Sequence, residues 1–304
     1  MRVALFSIFA ACAACSGSRG APAPAANGAT SATTCTVRED HGGSAIAPFS
    51  MSFAFDGAGR LVSVTKAEGG ANATRTRTFD ASDRVIGDAT TEMDASGKVT
   101  IVRRATLERD RAGRRVRARY EEKRADGPAI VESVEHTYDD RGRLMRSVSK
   151  NEKGETTQVV ERAYVADGLS VASGLPDRAE GMTTRMHVRF EGPPQRVVER
   201  VLELHEPTGS TTVERFVYDA QGRLARIDGK TTIEHPPRTE LGAVTFAYDE
   251  AGRSVGSEKT YPDEPGSGVV ETVKRTYAGA CGEPVRRYFD PRSIYTADYD
   301  DDDD

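Results

Sequence analysis

The sequence predicts an all-β fold: a long antiparallel meander of β-hairpin repeats that forms a curved or loosely closed sheet. Three observations predict it. A turn phrase recurs along the 304-residue chain, turn signals fall at a near-constant interval, and the segments between them carry strand formers without helical periodicity. The phrase is clearest in Phe55-Asp56-Gly57-Ala58-Gly59-Arg60-Leu61, Tyr138-Asp139-Asp140-Arg141-Gly142-Arg143-Leu144, Tyr218-Asp219-Ala220-Gln221-Gly222-Arg223-Leu224 and Tyr248-Asp249-Glu250-Ala251-Gly252-Arg253. Weaker copies are Phe79-Asp80-Ala81-Ser82-Asp83-Arg84-Val85, Met93-Asp94-Ala95-Ser96-Gly97-Lys98-Val99 and Asp110-Arg111-Ala112-Gly113-Arg114.

The spacing has a physical reason. The Asp carboxylate accepts hydrogen bonds from the amides just after it, and the Gly three residues later takes the left-handed conformation that ends a type I turn. The flanking aromatic and aliphatic residues return the chain to paired strands. Looser turns lie between these copies, as in Glu152-Lys153-Gly154, Glu206-Pro207-Thr208-Gly209 and His235-Pro236-Pro237. From Gly59 to Gly279 sixteen intervals cover 220 residues, so the repeating unit is a hairpin of about 28 residues. The stronger turns at Gly59, Gly113, Gly142, Gly222 and Gly252 fall on alternate markers, which places one kind of turn along one edge of the sheet and the other kind along the opposite edge. Intervening segments such as 131–138 and 211–218 read as strands, with charges at both parities. Each face is then at least partly wet, with Arg and Glu paired across neighbouring strands.

The two ends read differently. Met1-Arg2 is followed by an apolar run over residues 3–11 that is too short to span a bilayer and has signal-peptide length. The run meets Cys12-Ala13-Ala14-Cys15-Ser16-Gly17-Ser18 and resembles a bacterial lipoprotein signal, in which a Cys behind small residues is lipidated and becomes the N-terminus. The expected division is a signal peptide over 1–14, lipidation at Cys15 with Cys12 as the alternative, and a disordered tether over 15–34 with a reach of about 25 Å. Ordinary secretion with cleavage near Ala14 is the competing reading, and both readings export the protein. In an oxidising compartment Cys35 and Cys281, at the two ends of a body over 35–290, are expected to form a disulfide; two unpaired thiols are the alternative. The run Asp298-Tyr299-Asp300 to Asp304 makes 291–304 an acidic tail disordered by self-repulsion.

Composition excludes some functions. Setting aside Arg2 and the six acids of the tail leaves 41 bases and 41 acids, a neutral body without the basic face that a nucleic-acid binder needs. His41, His136, His187, His205 and His235 show no metal-ligand spacing, and His136 occupies the repeat position held elsewhere by Phe53, Phe216 and Phe246. His41-Gly42-Gly43-Ser44 lacks an accompanying nucleophile elbow, and no phosphate loop or dinucleotide fingerprint is present. No catalytic residue, metal or cofactor is expected, and Asp56, Gly59, Asp94, Gly97, Asp110, Gly113, Asp139, Gly142, Asp219, Gly222, Asp249 and Gly252 read as structural turn residues.

As a set, the seven Asp-centred phrases resemble the YD repeat of Rhs-type proteins, with only degenerate units such as Tyr164-Val165-Ala166-Asp167-Gly168 between residues 150 and 210. The resemblance implies a long coiling β-sheet, which in large members closes into a shell around a toxic C-terminal domain. Eight or nine hairpins and no visible cargo domain after Cys281 point instead to the open or loosely closed form. The expected function is a lipid-anchored, non-enzymatic scaffold of the cell envelope, at the bacterial outer membrane, that binds glycan or protein. The alternatives are an integral outer-membrane β-barrel and a toxin-associated processing module. The first of these needs an apolar band and aromatic girdles, whereas the chain has no Trp and places Arg103-Arg104 and Arg114-Arg115 inside its strands.

Overall fold

The computed structural model describes residues 34–43, 46–175, 181–192, 195–205, 209–261 and 269–292. The expected signal peptide, Cys12, Cys15, the tether up to residue 33 and the acidic tail from residue 293 lie outside the described residues. Eighteen strands follow in chain order: β1 (Thr34–Gly42), β2 (Phe49–Phe55), β3 (Leu61–Glu68), β4 (Ala71–Phe79), β5 (Val85–Met93), β6 (Val99–Arg109), β7 (Arg115–Arg124), β8 (Ala129–Tyr138) and β9 (Leu144–Asn151). The second half comprises β10 (Thr156–Val165), β11 (Gly168–Leu175), β12 (Gly181–Glu191), β13 (Arg196–Leu204), β14 (Ser210–Tyr218), β15 (Leu224–Ile233), β16 (Arg238–Tyr248), β17 (Ser254–Thr260) and β18 (Val269–Gly279). One short helix, α1 (Glu283–Tyr288), follows.

Each strand pairs antiparallel with the next, and β1 pairs with β2 on one side and β18 on the other. The β1–β18 register runs unbroken from Cys35 opposite Gly279 to Gly42 opposite Thr272. The sheet is therefore a closed barrel, which corrects the expected curved or loosely closed sheet. Closure removes the unpaired N–H and C=O groups of two edge strands.

Bulges bend the strands, at one rim in β5–β6, β9–β10, β11–β12 and β17–β18 and more regularly at the other. At this regularly bulged rim the register slips by one residue just before the turn in β2–β3, β4–β5, β6–β7, β8–β9, β12–β13, β14–β15 and β16–β17. A bulge bends its strand and increases the local twist, and the same bend in the same place in hairpin after hairpin curls the sheet onto itself. The β10–β11 hairpin, built from the degenerate phrase, closes tightly at Val165 opposite Gly168 without it.

The turn chemistry follows the sequence reading. At the bulged rim Asp139 Oδ1 accepts hydrogen bonds from the amides of Arg141 and Arg143, and the Gly142 amide donates to the Asp139 carbonyl. The same pattern recurs at Asp56, Asp80, Asp110, Asp219 and Asp249, whereas Asp94-Gly97 and Asn151-Gly154 build it at the opposite rim. Gly142 sits at φ 81°, with nothing but the Arg114 side chain near the place of a Cβ. Gly142→Ala is thus a backbone test, expected to cost about 1 kcal/mol in a urea melt.

Strand parity separates two faces. Cys35, Val37 and Glu39 on β1 face the same way as Phe53 and Met51 on β2, Val64 on β3 and Tyr277 and Arg275 on β18. Val285 and Phe289 of the C-terminal segment pack on this face, in a cluster with Cys35, Val37, Met51, Phe53, Phe55 and Val64. That segment also identifies the concave side. Arg75 and Arg77 of β4 act electrostatically on Tyr288, while Asp290 and Arg292 act on Tyr218 of β14 and Tyr248 of β16. The nine strands from β14 round to β4 cover about 38 Å of sheet at about 4.8 Å each, but residues 285–292 extend only about 12 Å. Only a wall that wraps around the segment brings all of them to it. The face carrying Cys35 and Phe53 lines the lumen.

Candidate binding surfaces of the barrel

The bulged rim is stitched by its Arg and Tyr residues. In five copies, those of Arg60, Arg114, Arg143, Arg223 and Arg253, the turn Arg bridges back to its own Asp, as in Arg223 Nε to Asp219 Oδ2 and Arg253 Nε to Asp249 Oδ2, both at 2.7 Å. Its guanidinium also covers the aromatic ring of the following hairpin: Arg143 over Tyr164 at 4.5 Å, Arg223 over Tyr248 at 4.6 Å and Arg253 over Tyr277 at 4.7 Å. The ring hydroxyl then donates to the carbonyl just after that Arg, Tyr248 to Leu224 at 2.8 Å and Tyr277 to Ser254 at 2.7 Å. These contacts are the reason for an aromatic before the Asp and an Arg after the Gly. They also engage these guanidinium groups within the structure.

Protonation follows these contacts. Side-chain and backbone hydrogen bonds from Arg114 hold the Asp110 carboxyl below the usual carboxylate range, and backbone hydrogen bonds from Arg143 and Arg141 with the Arg143 side chain do the same for Asp139. Burial pushes the Tyr277 phenol up to about 12. Because the folded value lies above the ordinary phenol value of 10.0, the stabilisation is complete below that value and is lost as pH rises from it towards about 12. Phenolate absorbance is expected to show Tyr277 neutral past the titration of an ordinary phenol, and because burial raises Tyr218, Tyr248 and Tyr288 as well, Tyr277→Phe is expected to reduce the late component by one phenol rather than remove it.

The lumen has two different walls. From β10 to β16 it is mainly apolar and aromatic, with Leu169, Val188, Val197, Phe216, Leu224 and Ile227 buried together, Tyr164, Met186, Phe190 and Phe246 packed against them, and the Arg200–Glu214 ion pair set into the same wall. From β4 to β8 it carries ion pairs, such as Arg103 Nε to Glu122 Oε2 at 3.2 Å, with Glu122 2% exposed. At the β1–β18 seam Arg275 Nε donates to Glu39 Oε2 at 2.7 Å and Arg275 Nη1 to Ser254 Oγ at 2.9 Å. Strands make their substantial contacts with their immediate neighbours, and an 18-stranded ring is wide enough to keep opposed walls apart. His136 sits on the lumenal face with Nδ1 3.1 Å from Ser147 Oγ, in the repeat position of the aromatic residues, as the sequence reading expects.

The outer wall is also divided. Thr36, Ser52, Thr65, Thr74 and Thr91 lie opposite one another in a row across β1 to β5. Beside it runs Thr34, Ala54, Ser63, Thr76 and Ala89. Thr65 and Thr74 hydroxyls bond at 3.1 Å. This field contains no charge. On β6 and β7, by contrast, Arg104 stands opposite Glu121 and Glu108 opposite Arg117. Neither parity of β7 is apolar, since Arg117, Arg119, Glu121 and Lys123 face outward and Tyr120, Glu122 and Arg124 inward.

Cys35 and Cys281 form the expected disulfide, across 246 residues of sequence. Among the described residues no group of three or more His, Cys, Asp or Glu side chains is placed to hold a metal ion. Thr34 pairs with Ala54, and Pro291 is fully buried. Helix α1 was not anticipated, although Pro284 in its first turn, Glu283 before it and Arg286-Arg287 in the last turn are start and stop signals.

No protein-family model and no curated protein matches the chain. Among solved structures, a porin-like protein from Bacteroides uniformis is similar over 81% of this chain and 96% of its own, at 10% identity and a TM-score of 0.39. The Tc holotoxin pore of Photorhabdus luminescens is similar over 72% of this chain and 15% of its own, at 11% identity and a TM-score of 0.28. Values this low carry no argument about a shared topology or role, and the chain stands, on its own strand register, as a closed 18-stranded antiparallel β-barrel.

Proposed function

We propose that this is a non-enzymatic protein of the bacterial cell envelope, lipid-anchored through Cys15 or Cys12, whose barrel stands outside the bilayer as a binding scaffold. The observation that carries this reading is the polar outer wall, where charged strands adjoin the hydroxyl field of β1 to β5. Such a wall is solvated, and an uncharged array of donors and acceptors suits the hydroxyl groups of a neutral glycan. The YD-like phrases support a structural role for the repeat, since the recurring Asp, Gly, Arg and aromatic residues are engaged in turn or rim contacts.

Closure into 18 strands favours a second reading, an integral outer-membrane barrel, because membrane barrels are closed and have even strand numbers. The charges at both parities of β7 favour the first. A fragment over 34–304 is expected to stay monodisperse without detergent and to bind neutral glycans in an array screen; dependence on detergent would establish the membrane barrel. Mass spectrometry of the mature N-terminal peptide, expected to carry a lipid on Cys15 or Cys12, tests the anchor.

A further inference from the structure

We propose that the Cys35–Cys281 disulfide is a redox latch: its reduction by a dithiol releases residues 281–292 from the mouth of the barrel while the sheet stays closed.

The segment and the sheet are held by different means. The ladder between β1 and β18 ends at Cys35 opposite Gly279, and the Ala280 amide makes a last backbone bond to the Thr34 carbonyl at 3.2 Å. Past that point the backbone hydrogen bonds of 281–292 run to residues 279–287, and among the described residues the only strand position they reach is Gly279, the last residue of β18, which accepts from the Cys281 amide. Helix α1 has only six residues and no side-chain cap at Gly282. A helix of that length does not persist by itself. Val285, Phe289 and Pro291 bury it against the wall, where Phe289 also meets Phe53 and Tyr277 edge-on and lies under the Arg275 guanidinium, and a covalent bond fixes its root.

The two sulfurs differ in access. Cys35 is fully buried, whereas Cys281 is half-buried. A donor thiolate therefore reaches Cys281 Sγ first. It bonds to that sulfur as the protein disulfide breaks, and Cys35 leaves as a thiolate that takes up a proton. The second donor thiol then displaces Cys281, which is protonated in turn, and the donor departs as a disulfide. Two electrons and two protons have passed to the protein. The eight residue pairs of the β1–β18 register do not involve the bond and remain. Release uncovers the aromatic strip of Phe53 and Phe55 under the segment. The latch does not depend on which ligand the barrel binds.

Limited trypsin digestion of the full chain tests it, because Arg286 and Arg287 lie in α1. Cleavage after these residues is expected to accelerate on the order of tenfold in dithiothreitol, as local opening replaces a pinned segment, with the β-sheet circular dichroism unchanged. Cys281→Ser is expected to show the fast cleavage without reductant. Unchanged cleavage in either experiment overturns the latch, and so does loss of the β-sheet signal on reduction, which would make the bond a staple of the whole barrel.

Discussion

Replacing both Cys35 and Cys281 by Ser is expected to lower the unfolding free energy of the oxidised protein by about 5 kcal/mol, read as a fall in the urea midpoint. The bond closes a loop of 246 residues, the stretch that contains nearly all of the barrel. In the chain-entropy account a link this long removes more freedom from the unfolded state than a short one does. The closed sheet loses little, because the seam keeps its ladder, the Glu39–Arg275 ion pair and the Val37–Tyr277 neighbours. Reduction of the native protein is expected to shift the midpoint by the same amount. A shift below about 1 kcal/mol would show that the unfolded chain is already held compact without the bond.

Phe53→Ala is expected to cost about 4 kcal/mol in the same melt. The ring is fully buried and central to the cluster that joins the C-terminal segment to the wall. Tyr288 and Phe289 meet it edge-on, with ring centroids at 5.1 and 5.8 Å. Removing it leaves a cavity bounded by two strands and a helix, and the strands cannot close over it without breaking register with β1 and β3. The substitution is also expected to raise hydrogen exchange in 283–289 more than in β8 or β9, which do not touch the cluster. Equal increases everywhere would mean that segment and wall are not one packing unit.

The hairpin rhythm was legible because its causes are local. Asp139, Gly142 and Arg143 lie within five residues of one another, and their hydrogen bonds, left-handed glycine and ion pair form inside that stretch. The alternation of strong and loose turns gave the two rims, and the two late cysteines gave a bridge. The pairing of opposite charges across strands was also legible, and Arg103–Glu122 and Arg200–Glu214 bear it out on the lumenal face. Less legible was the reason for the aromatic and the Arg in the phrase. They act between hairpins, Arg223 on Tyr248 and Arg253 on Tyr277, so a single copy of the phrase does not reveal the contact.

The sequence by itself determined the all-β meander, the strand spacing, the rim on which each turn lies and the neutral charge of the body. Each of these depends on residues close together in the chain or on a simple count. The tertiary structure alone decided closure, the division of inside from outside, and the place of the last twelve described residues. A bulge before seven of the turns at one rim adds a small bend that no single hairpin displays, and the bends accumulate until β18 meets β1. Only when that ring has formed does one parity become a lumen, on whose wall Phe53 and Val285 can meet.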